Sequence, residues 1–240
     1  MTDIIESNAF FEIEPKSKSN TLSTYKVEDF TQSQSHGLFW DCEIREKVFC
    51  LPSSKNDTKK YDICCLENKF NNQENISIKT SSNNNIDCGD ILRFHNGDFT
   101  RNYTIILLRY IQSGNLKIIK EIIEINYNEE LRNYLFGSIT EDKLTEYVQA
   151  IKSIPKGPVS NDIKTTYKKH KNKLQKHYNM HINISPKVDS STQRRVQCSI
   201  PKVDQIISRF PHIVISRSTE AIIRDISITS IINSGRRLRK

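Results

Sequence analysis

The chain has 240 residues, 36% hydrophobic and 27% charged, with a formal net charge of +8. No segment reaches the roughly 18 consecutive apolar residues that a membrane-crossing helix needs. With only 7 glycines there is no phosphate-cradling Gly-rich loop, and no Gly-X-Ser-X-Gly elbow or His-Glu-X-X-His pair occurs, so no enzyme signature emerges. The charge is unevenly spread. Residues 151–240 carry 19 Lys and Arg against 5 Asp and Glu, a net of +14, and the first 150 carry 17 against 23, a net of −6. A basic back half fits a polyanionic partner, because each neutralised phosphate releases a counterion. It fits a solvated, disordered extension equally well.

In chain order, residues 1–21 read as a flexible lead-in and 25–30 as a short turn or helix. The acidic start has no long apolar run and is not a secretory signal. Residues 38–49 read as a first strand, 52–58 as a loop and 61–66 as a second strand. Residues 76–80 alternate as a short strand. Gly89-Asp90 reads as a turn that launches an apolar strand, Ile91-Leu92-Arg93-Phe94-His95, and Asn96-Gly97 is a tight-turn pair. Residues 103–111 are almost all β-branched, aromatic or Leu, which marks a buried strand, and 116–125 form another.

The period changes after Tyr127. Thr140-Glu141-Asp142 reads as a helix start, with Leu144, Tyr147, Val148 and Ile151 on one face. Pro155-Lys156-Gly157-Pro158 ends that helix and marks a boundary. Residues 162–178 form a basic helical candidate, 184–197 are polar, and 206–232 read as strands or as a helix around 219–226. The cysteines, Cys42, Cys50, Cys64, Cys65, Cys88 and Cys198, lack the spacing of a zinc ribbon or redox motif, so free thiols in a reducing compartment are expected. His177 and His181, four apart, would share a helix face, as half a metal site or as plain polar surface. The basic end, residues 236–240, is a weak nuclear-import signal.

Short strands joined by polar loops suggest a mainly β fold, a small closed barrel of the OB type: five strands, a following helix, and a basic, poorly defined C-terminal region. Such barrels grip single-stranded nucleic acid by stacking bases on aromatics, worth about 1–3 kcal/mol per base, while Lys and Arg follow the phosphates. Lys47, Phe49 and Tyr61 flank one expected hairpin. Arg93, His95, Phe99, Arg101 and Tyr103 flank another. The competing reading makes Phe49, Phe94 and Tyr103 core residues.

Four segments resemble the N-terminal OB-fold of the protection-of-telomeres family, which includes the ciliate telomere end-binding proteins. They are residues 24–30, 60–66, Gly89-Asp90-Ile91-Leu92-Arg93-Phe94-His95, and 134–142. Asn96 stands where the family usually has Arg. The resemblance implies a domain at 22–152 that binds the single-stranded G-rich telomeric overhang in the nucleus and caps the chromosome end, with other telomere-capping proteins as partners. Arg93 and His95 occupy the family's motif positions, and Tyr61 keeps its strand position. Stacking is expected from Tyr61, Phe99 and Tyr103, with polar contacts from Lys47, Arg93, His95 and Arg101. Residues 153–240 would follow as a nonspecific clamp. No cofactor, metal or membrane is implied. The alternatives are a general single-stranded DNA- or RNA-binding protein, and an interaction protein with a basic tail that binds nucleic acid nonspecifically.

Overall fold

A computed structural model describes residues 24–26, 35–52, 60–188 and 193–234. The expected lead-in at 1–21 and the basic end at 236–240 lie outside them. The chain begins with β1 (Thr24–Lys26) and α1 (Ser35–Glu43), which continues as a π-helical stretch, Ile44–Val48. Then come β2 (Glu74–Ser81), β3 (Asn85–Asp90), a one-turn α2 (Ile91–His95), β4 (Asn102–Ser113) and β5 (Leu116–Asn126). Helices α3 (Glu129–Phe136), α4 (Glu141–Lys152) and α5 (Asn161–His177) follow. The chain finishes with β6 (Asn183–Val188), β7 (Arg194–Pro201), α6 (Val203–Arg209), a 3-10 turn (Pro211–Ile213) and β8 (Val214–Ser218). Three short strands complete it, β9 (Ile222–Ile223), β10 (Ile226–Ser227) and β11 (Ile231–Asn233).

The fold is mainly β, with helices laid on it. The long apolar run at 103–111 lies in β4, at the centre of a curled, open sheet of order β1-β11-β5-β4-β2. β4 pairs antiparallel with β5 and parallel with β2. The far side of β5 is shared: β11 pairs with its start and β8 with its end. A second sheet has the order β3-β7-β6. The ladders among the described residues leave the first sheet open, not closed into a five-stranded barrel.

Both faces of β4 and β5 are covered, which is why their sequences are nearly continuous in apolar residues instead of alternating. Tyr103, Ile105, Leu107, Ile123 and Ile125 face one core, shared with α3, α4, β6, β7 and α6. Ile106, Leu108 and Ile122 face another, shared with Trp40, Ile44, Val48, Ile76, Ile228 and Ile232.

Four expectations change. Residues 38–49 are helical, because Trp40, Ile44 and Val48 recur every fourth residue and bury one helical stripe. Residues 61–66 make only an isolated bridge, Ile63 to Ile76. The segment after Gly89-Asp90 is not a strand: the Asp90 carboxylate accepts from the Arg93 N–H at 3.0 Å and caps α2. The polar residues of 184–197 include a buried hairpin, with Ile184, Val188 and Val196 turned inward. The helix at Thr140 and the basic helix at α5 form as expected. The stretch 206–232 resolves into α6 and short strands.

Candidate nucleic-acid interface

The residues expected to grip bases are largely interior. Tyr103 is 6% exposed and exchanges a hydrogen bond with Ser77 at 3.0 Å. Burial pushes its hydroxyl pKa well up, and neighbouring Cys88, Asp62 and Tyr61 add to the shift against the Ser77 hydrogen bond. Phe49 is 1% exposed, edge-on to Phe70 and beneath the Arg224 guanidinium. His95 is buried edge-on against Phe136. Neither Phe49 nor Tyr103 presents a ring face to a base. The sequence did gather one real group: Tyr61, Phe99 and Tyr103 meet around Tyr127, with Tyr61 4.9 Å from Tyr103 and Phe99 5.6 Å from Tyr127. That group is an aromatic core with a half-buried rim.

Lys47 is exposed on the other side of the central sheet and bonds Glu43 at 2.6 Å. Arg93 is exposed on α2. Arg101 is half-buried, donating to the Cys65 thiol and lying 3.9 Å from Asp98. Of these cations only Arg101 shares a cleft with an expected aromatic, Phe99.

An exposed aromatic and basic group does exist, on residues outside the expected base-gripping set. Tyr134 on α3 lies parallel to His181, with ring centroids 4.5 Å apart and planes inclined by 13°. Phe210, just after α6, meets Tyr134 edge-on at 5.1 Å. The Arg209 guanidinium lies 4.9 Å from the Tyr134 ring and 5.5 Å from Phe210. His212 continues the line, edge-on to Phe210 and bonded to Glu130 at 2.6 Å. Tyr134 and Phe210 are half-buried, and His181, Arg209 and His212 are exposed.

The chain places this strip at the foot of α5. The Tyr178 carbonyl accepts from the Ser138 N–H, and the Leu135 carbonyl accepts from the N–H groups of His181 and Ile182. Gly137 makes the junction possible: a Cβ there would fall 1.8 Å from the Tyr178 carbonyl oxygen, and its φ is +61°. Helix α5 has no fully buried residue. Tyr167 and Leu174 rest on the core, and His170 meets Tyr147 edge-on. Lys168, Lys169, Lys173 and Lys176 are exposed, and among the described residues none of them pairs with a carboxylate.

Part of the acidic front is taken up inside the fold. Glu74, Glu121 and Glu124 are buried. Arg224 pairs with Glu74 at 2.8 Å and Glu124 at 3.0 Å, and Arg217 pairs with Glu121 at 2.7 Å. Arginines of the basic half thus neutralise carboxylates of the acidic half inside the fold, while the lysines of α5 stay outside.

His177 ends α5 and His181 lies beyond it, so the two do not share a helix face. Among the described residues no group of three or more His, Cys, Asp or Glu is placed to hold a metal, and no helix is long and apolar enough to cross a membrane. No family model matches the chain, nor does any curated protein or solved structure.

Proposed function

We propose that this protein is a non-enzymatic binder of single-stranded nucleic acid, held by the lysines of α5 and the strip of Tyr134, His181, Arg209 and Phe210 at its foot. The observation that carries the reading is that strip: Tyr134 and His181 stacked face to face, Phe210 edge-on to Tyr134 and the Arg209 guanidinium beside both Tyr134 and Phe210, next to lysines that pair with no carboxylate among the described residues. Rings and guanidinium planes stack on unpaired bases, and lysines follow the phosphates. A duplex keeps its base faces covered, so the strip favours single strands.

The narrower form is binding of single-stranded G-rich telomeric DNA to cap chromosome ends in the nucleus. It rests on the sequence resemblance at residues 24–30, 60–66, 89–95 and 134–142. The last segment includes Tyr134 of the strip. The others include the surroundings of the buried Tyr103 and α2, so an OB-type groove at Tyr61, Arg93, His95 and Tyr103 would require His95 and Tyr103, which this fold turns inward, although Arg93 is exposed and Tyr61 half-buried.

Fluorescence anisotropy of the full chain tests both forms. The probes are a single-stranded telomeric repeat, a scrambled strand of equal composition, an RNA strand and a duplex. Preference for the two DNA single strands and RNA over the duplex is expected, with binding weakened about tenfold by the paired change Arg209→Ala and His181→Ala. Tight binding to the repeat alone would support the chromosome-end form. Equal binding to every single strand would leave the general one. Binding to none would overturn both and favour a protein-interaction role.

A further inference from the structure

Beside the strip lies a cleft of about 300 Å³, bounded by the start of β4, the end of β5 and the first turn of α3. We propose that it is a nucleobase pocket, in which one base of a bound strand inserts against Phe99. The inference rests on the nucleic-acid reading above and names a second element of that surface. The cleft and the strip share Glu130, which lines the cleft and bonds His212 of the strip.

Phe99 is a fixed wall. Its ring tip fills the space that a side chain at position 97 would need, since a Cβ on Gly97 would lie 2.8 Å from Phe99 Cζ. Tyr127 sits 5.6 Å from the ring centroid and the Arg132 guanidinium 5.5 Å from it. A ring held on three sides loses little freedom when a base stacks on it.

The remaining walls offer both donors and acceptors. Asn102 and Asn126 each present an amide, and Glu129 presents a carboxylate. Among the described residues these three side chains make no hydrogen bond or ion pair, whereas Asn128 is committed to capping α3 and Glu130 to His212. An amide gives two donors and an acceptor, and a carboxylate only accepts. A base edge matches that mixture. A phosphate does not, because it meets Glu129 and Glu130. A cationic side chain meets Arg101. The size, at the lower end of small-molecule sites, suits one ring system and not a length of strand. Of the four common bases, guanine offers a carboxylate two neighbouring N–H donors on one edge.

The test uses the full chain, isotopically labelled for NMR, titrated with guanosine, adenosine, cytidine and uridine. Ribose and N-acetyl-arginine amide serve as controls. Saturable shifts are expected at residues 97–102 and 126–130 and at the Asn102 and Asn126 side-chain amides, largest with guanosine. Phe99→Leu should weaken binding about tenfold, the loss of one stacked base. Glu129→Gln, at an exposed position that does not support the core, should weaken guanosine more than the other nucleosides. Shifts with ribose alone, tighter binding of the arginine derivative, or no saturable shift would overturn the pocket.

The oligonucleotide assay separates the two proposals. If wild type, Phe99→Leu and Glu129→Gln bind the same strand equally, the pocket fails and the strip stands. If nucleosides shift the cleft and no strand binds, the cleft is a site for free nucleosides, and both the strip and the inserted-base reading fail.

Discussion

Tyr103 looks like a stacking ring in the sequence because it is an aromatic at the mouth of a strand beside Arg101. In the fold it closes a hydrogen bond with Ser77 in an almost dry core. Tyr103→Phe is expected to cost about 1 kcal/mol, the net worth of one buried hydrogen bond. Tyr103→Ala should cost about 3–5 kcal/mol through the cavity it leaves. Urea unfolding measures both. Equal losses would mean that the ring is not packed. Asp41 makes a different prediction. Burial is the main cause that raises its pKa from 3.8 to about 6, and nearby Asp62 adds to it against Arg45 and Lys79. Its Oδ1 is buried without a hydrogen-bond partner among the described residues. A raised carboxylate favours folding below about pH 3.8, and that advantage is lost as pH rises through about 6. Asp41→Asn should therefore stabilise the protein at pH 7, by about 3 kcal/mol at most at about 1.4 kcal/mol per pKa unit. The gain should shrink toward zero near pH 4. Thermal melts across that range check it, and a pH-independent difference would contradict the burial argument.

At the scale of elements, two misread segments share one cause. Residues 38–49 and 91–95 are rich in Ile, Phe, Trp and Val, which favour strands when read by composition. The decisive signals are positional: a spacing of four in Trp40, Ile44 and Val48, and an Asp placed three residues before Arg93 to cap a turn. Asp90→Ala should cost about 1 kcal/mol, as lost N-caps do. Gly137 carries a larger load, because it joins the ends of α3 and α5 where no Cβ fits. Gly137→Ala is expected to cost more than about 2 kcal/mol from the clash and the strained backbone together. It should also weaken strand binding, since Tyr134 and His181 meet across that junction. Unchanged stability in this variant, read by calorimetry, would mean that α5 docks elsewhere.

Across the whole molecule, residues after 153 are hydrogen-bonded into both sheets. β8 and β11 edge β5, and β7 pairs with β3. A fragment ending at 155 would leave those edges and both cores open. It is expected to lack native-like dispersed NMR signals even where the full chain has them. The buried ion cluster ties the halves further. Burial alone would raise the Glu74 pKa, but hydrogen bonds from Arg224, Thr104 and Asn68 and the Arg224 charge outweigh it and hold the carboxyl below its ordinary 4.5. A depressed carboxylate contributes stability above its unfolded value, and that contribution disappears as pH falls through the lower folded value. Acid unfolding should therefore set in below about pH 4.5 and be blunted by Glu74→Gln. Arg224→Ala, which strands two buried carboxylates, should cost about 3–5 kcal/mol at pH 7.

The sequence by itself determined the two long central strands, the capped helix at Thr140 and the basic helix α5, because each is written in local pattern: a continuous apolar run, a cap followed by a 3.6-residue stripe, and a run of lysines. It also determined the charge division between the halves. Only the tertiary structure decided which aromatics are interior, because a Tyr or Phe beside a basic residue has the same local signature in a core as on a binding surface. Tyr134, His181, Arg209 and Phe210 are brought together from α3, the end of α5 and the end of α6, and no local pattern encodes that meeting. The same holds for the acidic front. Three of its carboxylates, Glu74, Glu121 and Glu124, are paired with arginines about a hundred residues or more away, so net charge along the chain did not report the charge that a partner meets.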